Sequence, residues 1–578
     1  MKKQEIYECD VLVVGSGASG MSAAITAKHH GLNVVMVEKG STFGGTSARS
    51  GGWLWIPCTS LAQAWGHSDS HDAVKTYLKH EGGNAYNEER VDAFLRHGSP
   101  AVDFFLKHTA VRFDMPLVFP DYHAEAPGAM QGGRSMVARP FDARELGKRM
   151  EQLEPPLPEQ TVLGMMIGSG PDIKHFMRAT RSLESAIYAT KRLSKHIWQT
   201  IKYGRGMTLT NGNALIGRLA KSAFDMEIPI WLQSPVTELI IEGGAVVGAR
   251  VRRNGEEVVV RAARGVVLAA GGFPHDIERR KALYSHTKTG NEHWTPTPKT
   301  NTGDSLKMVE KMGGKLNTNL PNPAAWTPVS LTTRKDGTQG VMPHFIDRAK
   351  PGVIAVTRSG KRFTNEADSY HDYVQAMIKA CSQEPEVCSW LICDHYTLRR
   401  YGLGCVAPFP LPIGRHLKTG YLIKGKTLGA LAKAAGINEQ QLVETVTQFN
   451  VSASAGHDLE FGKGSKAYNR YQGDAYRAPN PCVAPIERGP FYAVKIVPGD
   501  IGTYAGIAVD RNCQVLGADD RPIQGLFAVG NDSASIMGGN YPGAGITLGP
   551  ALTFGYAVGI HLSNAARVDD ASLVRKTG

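Results

Sequence analysis

The sequence predicts an α/β protein built from two or three domains. Its 578 residues exceed what one hydrophobic core usually organises. Near the N-terminus an apolar run, a glycine-rich turn, a helical stretch and a second apolar run follow one another. Two other apolar runs, far along the chain, also end in glycines. We therefore expect one site assembled from distant segments.

The first strand of the N-terminal unit is the apolar run from Val11 to Val14 in "CDVLVVGSGASGMSAAITAKHHGLNVVMVEKG". The stretch "MSAAITAKHH" is typical of a helix, and Gly31 is placed to end it. A second strand, "LNVVMVE", ends at Glu38. Strand, helix and strand thus follow in the order of a βαβ unit.

The turn between strand and helix carries the pattern GxGxxG, at Gly15, Gly17 and Gly20. A helix N-terminus offers a pyrophosphate free backbone N–H groups and a favourable dipole. Glu38 lies about 20 residues on, where a carboxylate can accept both hydroxyls of an adenosine ribose. The pattern alone is weak, but this context favours a dinucleotide site over a purely structural turn.

A second Gly/Ser/Thr-rich loop, "KGSTFGGTSARSGGWLW", favours FAD over NAD, because such a loop can approach a flat ring system. Farther on, a predicted β-meander returns to a strand that ends at Gly271-Gly272. The run "IQGLFAVGND" is another strand, followed by Gly530-Asn531. These segments suit a large cofactor held along its whole length. The alternative is a set of unrelated turns.

The order of these segments resembles the flavoprotein family of fumarate reductases and 3-ketosteroid dehydrogenases. The resemblance is carried by "VVGSGASGMSAAI", "VVMVEKGSTFGGTSARSGG", "VVLAAGGF" and "GLFAVGND…NYPGAGITLGPALTFG". It implies a Rossmann-type FAD-binding domain with an inserted α+β substrate-capping domain. The implied boundaries are 1–295 and 490–578 for the FAD-binding domain, with an added segment at 151–206, and 296–489 for the capping domain.

The same resemblance implies non-covalent FAD, since "GGTSARSGG" lacks the histidine to which succinate dehydrogenases attach their flavin. The residues that it implies bind the cofactor are Gly15, Ser16, Gly17, Ala18, Ser19, Gly20, Glu38, Lys39, Gly45, Thr46, Ser47, Ser50, Gly51, Gly52, Val236, Ala270, Gly271, Gly530, Asn531, Gly545 and Leu548.

Within this family the chain is most similar to the 3-ketosteroid Δ1-dehydrogenases, especially the longer ones that act on cholest-4-en-3-one. "PDYHAEAPGAMQGGRSMVARPFD", "GKRFTNEADSYHDYVQAM", "PNPCVAPIERGPFYAVKIVPGDIGT" and "NYPGAG" carry the similarity. It implies catalytic roles for Tyr122, for Tyr370, and for Tyr541 with Gly545. Tyr373 stands close to Tyr370 and is the alternative for that position.

These residue types fit the chemistry that the resemblance implies, which is removal of hydrogens from C1 and C2 of a 3-keto-4-ene steroid. The ketone oxygen gains negative charge, which the Tyr541 hydroxyl and the Gly545 N–H can stabilise. Tyr370 would take the C2 proton with Tyr122 as its relay, while a hydride passes to flavin N5. Because a tyrosine pKa is about 10, this role requires a stabilised tyrosinate.

Other functions stay open from the sequence. A Δ4-(5α)-dehydrogenase would share the flavin lobe and the tyrosine chemistry. A fumarate-reductase-like enzyme would need cationic side chains for two carboxylates, for which Arg362 is a candidate, but no His/Arg clamp or haem spacing accompanies it. A non-catalytic flavin- or lipid-binding module is a fourth reading. No second redox centre is visible, so the expected oxidant of the flavin is an external acceptor such as a quinone.

Composition and charge limit the classes of binding partner and the cellular location that we expect for the protein. The formal charge of +12 is spread along the chain without a dense basic block, which argues against nucleic acid. The N-terminus lacks the pattern of a signal peptide, and no stretch reaches the roughly 18 apolar residues that span a bilayer. Eight cysteines, without CxxC, indicate neither disulfides nor a metal site, and those in "CSQEPEVCSWLIC" are interpreted as ordinary thiols. We therefore expect a cytoplasmic protein.

The segment 151–206 raises a membrane question. After a Pro-rich loop and an apolar patch at 162–167, it predicts a helix with an apolar side and a basic side. The apolar side comprises Leu193, Ile197, Trp198 and Ile201, and the basic side Lys191, Arg192, Lys195 and Lys202. Peripheral contact of residues 160–206 with the inner face of the cell membrane is one interpretation. An ordinary surface helix that packs inward is the other.

Overall fold

The computed structural model describes residues 5–564. Its strands are β1 (Glu5–Val14), β2 (Val34–Val37), β3 (Trp53–Trp55), β4 (Phe113–Asp114), β5 (Ser135–Ala138), β6 (Phe141–Asp142), β7 (Thr161–Val162), β8 (Met165–Met166), β9 (Thr208–Leu209), β10 (Ile230–Trp231), β11 (Val236–Glu242), β12 (Ala245–Arg253), β13 (Glu256–Leu268), β14 (Leu316–Asn317), β15 (Ala324–Thr333), β16 (Gln339–Pro343), β17 (Val353–Val356), β18 (Ser389–Asp394), β19 (Ile423–Gly425), β20 (Phe491–Thr503), β21 (Gly506–Ile507), β22 (Gln514–Leu516) and β23 (Pro522–Ala528).

The α-helices are α1 (Ala18–His29), α2 (Gly45–Arg49), α3 (Ser60–Ala64), α4 (His71–Gly82), α5 (Glu88–His108), α6 (Pro171–Arg178), α7 (Leu183–Tyr203), α8 (Asn211–Asp225), α9 (Ile277–Leu283), α10 (Asp304–Lys311), α11 (Tyr370–Ala380), α12 (His395–Tyr401), α13 (Gly414–Lys418), α14 (Leu428–Ala435), α15 (Glu439–Ala453), α16 (Ala467–Gln472) and α17 (Leu548–Asn564). Short 3₁₀ segments lie at Gly83–Ala85, Ala143–Gln152, Pro158–Gln160, Asp347–Ala349 and Gly530–Asp532.

The first sheet has the order β10-β2-β1-β13-β12-β11, and β23 also pairs with β13. Its central pairs, β2 with β1, β1 with β13 and β13 with β23, are parallel. Their carboxyl ends therefore lie along one edge, which brings together the glycine turns that follow β1, β13 and β23. The predicted βαβ unit and the predicted meander, β11 to β13, are both confirmed.

The N-terminal turn is close-packed because its glycines leave room for other backbone. Gly15 adopts φ +106°, and a Cβ there would stand 2.2 Å from the Ala269 carbonyl oxygen. A Cβ on Gly20 would stand 2.1 Å from the Gly15 carbonyl oxygen. Only glycines at these two positions let β1, the start of α1 and the turn after β13 meet.

The second sheet has the order β16-β15-β20-β18-β17, with β19 also paired to β20, and all of these pairs are antiparallel. Strand β20 occupies a central place in it. Residues 490–578 were expected to belong to the first domain, so the second sheet extends past that boundary by one strand, β20. Its long pairing with β15 and β18 fixes β20 there.

The added segment at 151–206 forms the hairpin β7–β8 followed by α6 and α7. The predicted apolar side of α7 divides in two: Leu193 lines an internal cavity, whereas Ile197, Trp198 and Ile201 are exposed. Among the helices of residues 5–564, we find none with the length and apolar character that a bilayer crossing requires.

Candidate active site

One cavity, of about 1740 Å³, collects residues from both sheets and from the segment that contains α6 and α7. Nearly all the residues predicted to bind the cofactor line it. They are Gly15, Ser16, Gly17, Ser19, Glu38, Lys39, Gly45, Thr46, Ser47, Ser50, Gly51, Gly52, Val236, Ala270, Gly271, Gly530, Asn531, Gly545 and Leu548. Ala18 and Gly20 do not line the cavity and pack inside the turn.

The dinucleotide end of the cavity has the features that a pyrophosphate and a ribose need. Gly17 is the N-cap of helix α1 and has no side chain to cap it, which leaves backbone donors in the first turn for an anion. The Ser47 hydroxyl accepts from the Ala18 N–H at 3.1 Å and so ties the second glycine loop to this turn. The carboxylate of Glu38 lies beside it, accepting from the Ser16 hydroxyl at 2.6 Å and the Gly40 N–H at 2.8 Å.

Two residues that the sequence analysis missed hold the remaining turns. Asp532 is fully buried and accepts from the N–H groups of Ala270, at 2.7 Å, and Gly272, at 2.8 Å. The Asn301 side chain donates to the Thr46 hydroxyl at 3.0 Å. Asp532 directly follows the predicted Gly530-Asn531 pair, so an acid at the end of β23 was the available signal.

Three of the predicted catalytic residues meet as buried phenols in the same cavity. Tyr122, Tyr370 and Tyr541 are 6%, 5% and 3% exposed. The centroid of the Tyr370 ring lies 4.8 Å from that of Tyr541 and 5.6 Å from that of Tyr122, both edge to face. The rings of Tyr122 and Tyr541 stack at 5.5 Å. Residues more than 400 positions apart are thereby brought into one cluster.

Each tyrosine comes from a different element. Tyr370 is the first residue of α11, and Tyr541 lies in the turn that precedes α17. Tyr122 lies in a loop, and its backbone N–H donates to the Pro542 carbonyl at 2.9 Å. The alternative, Tyr373, does not line the cavity, and its hydroxyl contacts the Ser389 hydroxyl at 2.8 Å.

The position of Gly545 has no room for a side chain. Its φ is +96°, and a Cβ there would stand 2.4 Å from the Trp53 carbonyl oxygen. The Gly545 carbonyl accepts from the Trp55 N–H at 3.0 Å and from the Gly549 N–H at 2.8 Å. This position puts its backbone at the cavity wall beside Tyr541.

Burial dominates the electrostatics of the tyrosine cluster. It raises the pKa of Tyr370 well above the usual value, and the neighbouring phenols Tyr122 and Tyr541 raise it further. Burial also raises the pKa of Tyr541, and the Tyr370 hydroxyl partly offsets that effect. Burial likewise raises the pKa of Tyr122 well above its usual value, so all three phenols are neutral at ordinary pH, which suits an apolar ligand.

The walls around the cluster are largely aromatic and apolar. Tyr468, which the sequence analysis did not single out, packs on Tyr122 at 4.3 Å between centroids. The centroid of the Phe119 ring lies 4.5 Å from that of Trp53 and 4.6 Å from that of Tyr471. Such a lining accommodates a hydrophobic ring system better than two carboxylates.

Arg362 does not provide a clamp for a dicarboxylate. It is buried and bound to two acids of its own, Glu366 at 2.9 Å and Asp458 at 2.7 Å. It does not line the cavity. Because both carboxylates already neutralise its charge, a small diacid gains nothing from it.

Known proteins are similar to this chain over nearly its whole length. A family model for the FAD binding domain matches residues 10–548. The chain is 42% identical to a 4-oxocyclohex-2-ene-1-carboxylate 5-dehydrogenase of Sinomonas cyclohexanicum, over 98% of this chain and 95% of that protein. It is 37% identical to a 3-oxosteroid 1-dehydrogenase of Mycobacterium tuberculosis, over 97% and 99%.

A solved structure is also similar over its whole length. This is the 3-ketosteroid Δ1-dehydrogenase of Sterolibacterium denitrificans in complex with 1,4-androstadiene-3,17-dione. The TM-score is 0.89 at 36% identity, and the match covers 96% of this chain and 99% of that one.

Proposed function

Because this chain belongs to the family of FAD-binding flavoproteins that includes the 3-ketosteroid dehydrogenases, we propose that it is an FAD-dependent 3-ketosteroid Δ1-dehydrogenase. It converts a 3-keto-4-ene steroid to the 1,4-dien-3-one. The observation that carries this proposal is the cluster of three buried phenols beside Gly545, in a cavity that is also lined by the residues predicted to bind FAD.

In the proposed mechanism the ketone oxygen is held by the Tyr541 hydroxyl and the Gly545 N–H. These two donors stabilise the negative charge that develops as a proton leaves C2. Tyr370 takes that proton, and Tyr122, whose ring lies 5.6 Å from it, passes it on. The turns at Gly15, Gly271 and Gly530 would hold FAD, which would supply the acceptor for the hydride that leaves C1. The apolar walls exclude water, which strengthens both hydrogen bonds to the ketone.

The test is anaerobic mixing of the purified flavoprotein with 4-androstene-3,17-dione and, separately, with cholest-4-en-3-one. The expected result is loss of the oxidised flavin absorbance together with formation of the 1,4-diene. Formation of a 4-en-3-one from a saturated 3-ketone instead would establish a Δ4-(5α)-dehydrogenase. If no ketone reduced the flavin, but reduced enzyme converted fumarate, the steroid assignment would be wrong.

A second candidate substrate is a small cyclohexenone that bears a carboxylate. The 42% identical relative is named for this chemistry, and its reaction also removes hydrogens beside the ketone of an enone ring. Lys350 favours it, since this buried lysine lines the cavity and, among the described residues, makes hydrogen bonds to backbone carbonyls and no salt bridge. Its ammonium donates to the carbonyls of Gln472, at 2.6 Å, and Gly473, at 2.8 Å, which leaves a third N–H.

The two candidates are separated in the same assay by adding 4-oxocyclohex-2-ene-1-carboxylate. If this acid is the substrate, it reduces the flavin faster than either steroid, and Lys350→Met raises its KM without changing that of 4-androstene-3,17-dione. If a steroid reduces the flavin faster, and Lys350→Met does not change the KM of the acid, Lys350 does not bind a substrate carboxylate. Its role would then be limited to its contacts with the end of α16.

We also propose that the exposed apolar side of α7, the helix whose Leu193 lines the cavity, rests on an anionic membrane. Ile197, Trp198 and Ile201 are 48%, 51% and 82% exposed. Exposed lysines flank them at Lys191, Lys195 and Lys202. A lipid-soluble ketone would then pass between bilayer and cavity, and an external acceptor such as a quinone would reoxidise the flavin.

Vesicle sedimentation tests this contact. The protein should sediment with vesicles that contain phosphatidylglycerol, and much less with phosphatidylcholine alone. The double variant Trp198→Ser/Ile201→Ser should lose binding, whereas Val451→Ser, which removes an equally exposed apolar side chain on α15, should not. Equal sedimentation of all three proteins would make α7 an ordinary surface helix.

A further inference from the structure

Each of the three clustered tyrosines adjoins a member of one polar network. Tyr122 is followed by His123, Tyr370 stands two residues before Asp372, and Tyr541 is preceded by Asn540. Those three side chains converge with Glu81 of α4 in what we call the His123 network. None of the four side chains lines the cavity, so the network stands behind the tyrosines and does not touch the substrate.

His123 is held on both sides by carboxylates. Its Nδ1 lies 2.9 and 2.8 Å from the two Glu81 carboxylate oxygens, and its Nε2 lies 2.8 Å from Asp372 Oδ2. Carboxylates accept and do not donate, so both ring nitrogens must carry protons. The two acids raise the pKa of His123 to about 10, although burial opposes the shift. His123 is thus an imidazolium at neutral pH.

Glu81 extends the network to the third tyrosine. Its Oε2 accepts from the Asn540 side-chain amide at 2.7 Å. The Asn540 side-chain oxygen in turn accepts from the Tyr541 N–H at 2.9 Å. On the same helix, the Tyr77 hydroxyl donates to the Pro542 carbonyl at 2.7 Å. Helix α4 therefore fixes the turn that carries Tyr541.

Asp372 connects the network to the helix that carries Tyr370. It lies in the first turn of α11, the helix that Tyr370 begins. The loop of Tyr122 and His123 and the turn of Tyr541 belong to segments far from α11 in the chain. The His123–Asp372 contact therefore spans the place where the proposed base, Tyr370, meets the proposed ketone-binding groups.

We propose that His123, together with Glu81, Asp372 and Asn540, is a positioning network that sets the three tyrosine rings relative to one another. This inference rests on the proposed catalytic role of the tyrosines. One imidazolium between two carboxylates leaves a net negative charge, so the network does not stabilise a tyrosinate by its charge. Its contribution is geometric: a misplacement of about 1 Å can cost about a hundredfold in rate.

The test compares His123→Gln with the wild-type protein on whichever enone the wild type oxidises. We expect kcat to fall by about tenfold to a hundredfold, with KM within about threefold and full FAD content. Asp372→Asn should act similarly, and the double variant should be no worse than the more damaging single variant, since both break one contact. His457→Gln, an exposed histidine outside the network, is the matched control and should match wild type.

Two results would overturn the proposal. One is a kcat within twofold of wild type in folded His123→Gln. The other is a loss of activity that only follows lost FAD or lost thermal stability, because a purely structural role predicts that pattern. If His123→Gln fails to fold, Asn540→Ala, which removes the side chain that links Glu81 to the Tyr541 N–H, gives the same comparison.

A crystal structure of the variant separates this proposal from the proposed function. Ring separations that move by more than about 0.5 Å from the wild-type values support positioning even if no steroid is a substrate. Unchanged separations in His123→Gln would contradict it, whatever the enzyme oxidises.

Discussion

At the scale of single residues, Tyr541 carries the clearest chemical expectation. Tyr541→Phe removes one of the two proposed donors to the ketone and keeps the ring that packs against Tyr370 and Tyr122. We expect kcat to fall by about a hundredfold to a thousandfold, as for loss of one oxyanion donor, with FAD retained. Steady-state turnover and the flavin-to-protein absorbance ratio measure this. A near-wild-type rate would show that Tyr541 does not hold the ketone.

The raised pKa of Tyr370 predicts an alkaline pH dependence. Its basic form is populated only as pH rises toward a pKa that burial places well above the usual value for tyrosine. Below that pKa, kcat/KM should rise by about tenfold per pH unit if one proton controls the step. The measurement is kcat/KM from neutral pH to the alkaline limit of stability. A flat profile, or one that Tyr370→Phe leaves unchanged in shape, would argue against Tyr370 as the base.

At the scale of elements, the ends of β13 and β23 are joined by one carboxylate. Asp532 accepts from two N–H groups in the turn after β13, in full burial. Asp532→Asn keeps the shape but turns one acceptor into a donor, which leaves a buried N–H unpaired. We expect a loss of about 1–3 kcal/mol in the free energy of unfolding and weaker FAD binding.

Denaturant unfolding and FAD titration of the apoprotein check the Asp532 prediction. Asp519→Asn, at an exposed loop position after β22, serves as the control. Equal stability and equal FAD affinity of the two variants would show that the turns are held without Asp532.

At the scale of the whole molecule, the cavity predicts that FAD stabilises the fold. Its walls come from both sheets and from the segment of α6 and α7, so bound FAD links parts that otherwise meet across an open space. A ligand that binds only the folded state stabilises it by about 2.7 kcal/mol at a hundred times its Kd. Removal of FAD should lower Tm, and readdition should restore it, as followed by calorimetry. A Tm independent of FAD would contradict this arrangement.

Most of the cofactor site could be predicted from local sequence. Local sequence is enough to recognise Gly15, Gly20 and the loop of Thr46 and Ser47. A close approach of two backbone segments requires glycine or small polar residues, whatever the rest of the protein looks like. The parallel strand order then follows from the βαβ pattern. The sheet to which β20 belongs could not be predicted in this way, because its own residues do not determine which strands it pairs with.

The three tyrosines of the cluster were predictable through family resemblance, but their neighbours were not. Tyr468 and Glu81 lie outside the motifs that carry the resemblance. Asp532, His123, Asp372 and Asn540 lie inside them, but no local pattern indicates which distant groups they contact. The sequence by itself determined the FAD-binding fold and the residue types at the site, since those depend on short-range backbone geometry. Only the tertiary structure decided which phenols meet, at what separation, and that Glu81, His123 and Asp372 stand behind them. Such long-range contacts arise only once distant segments pack together.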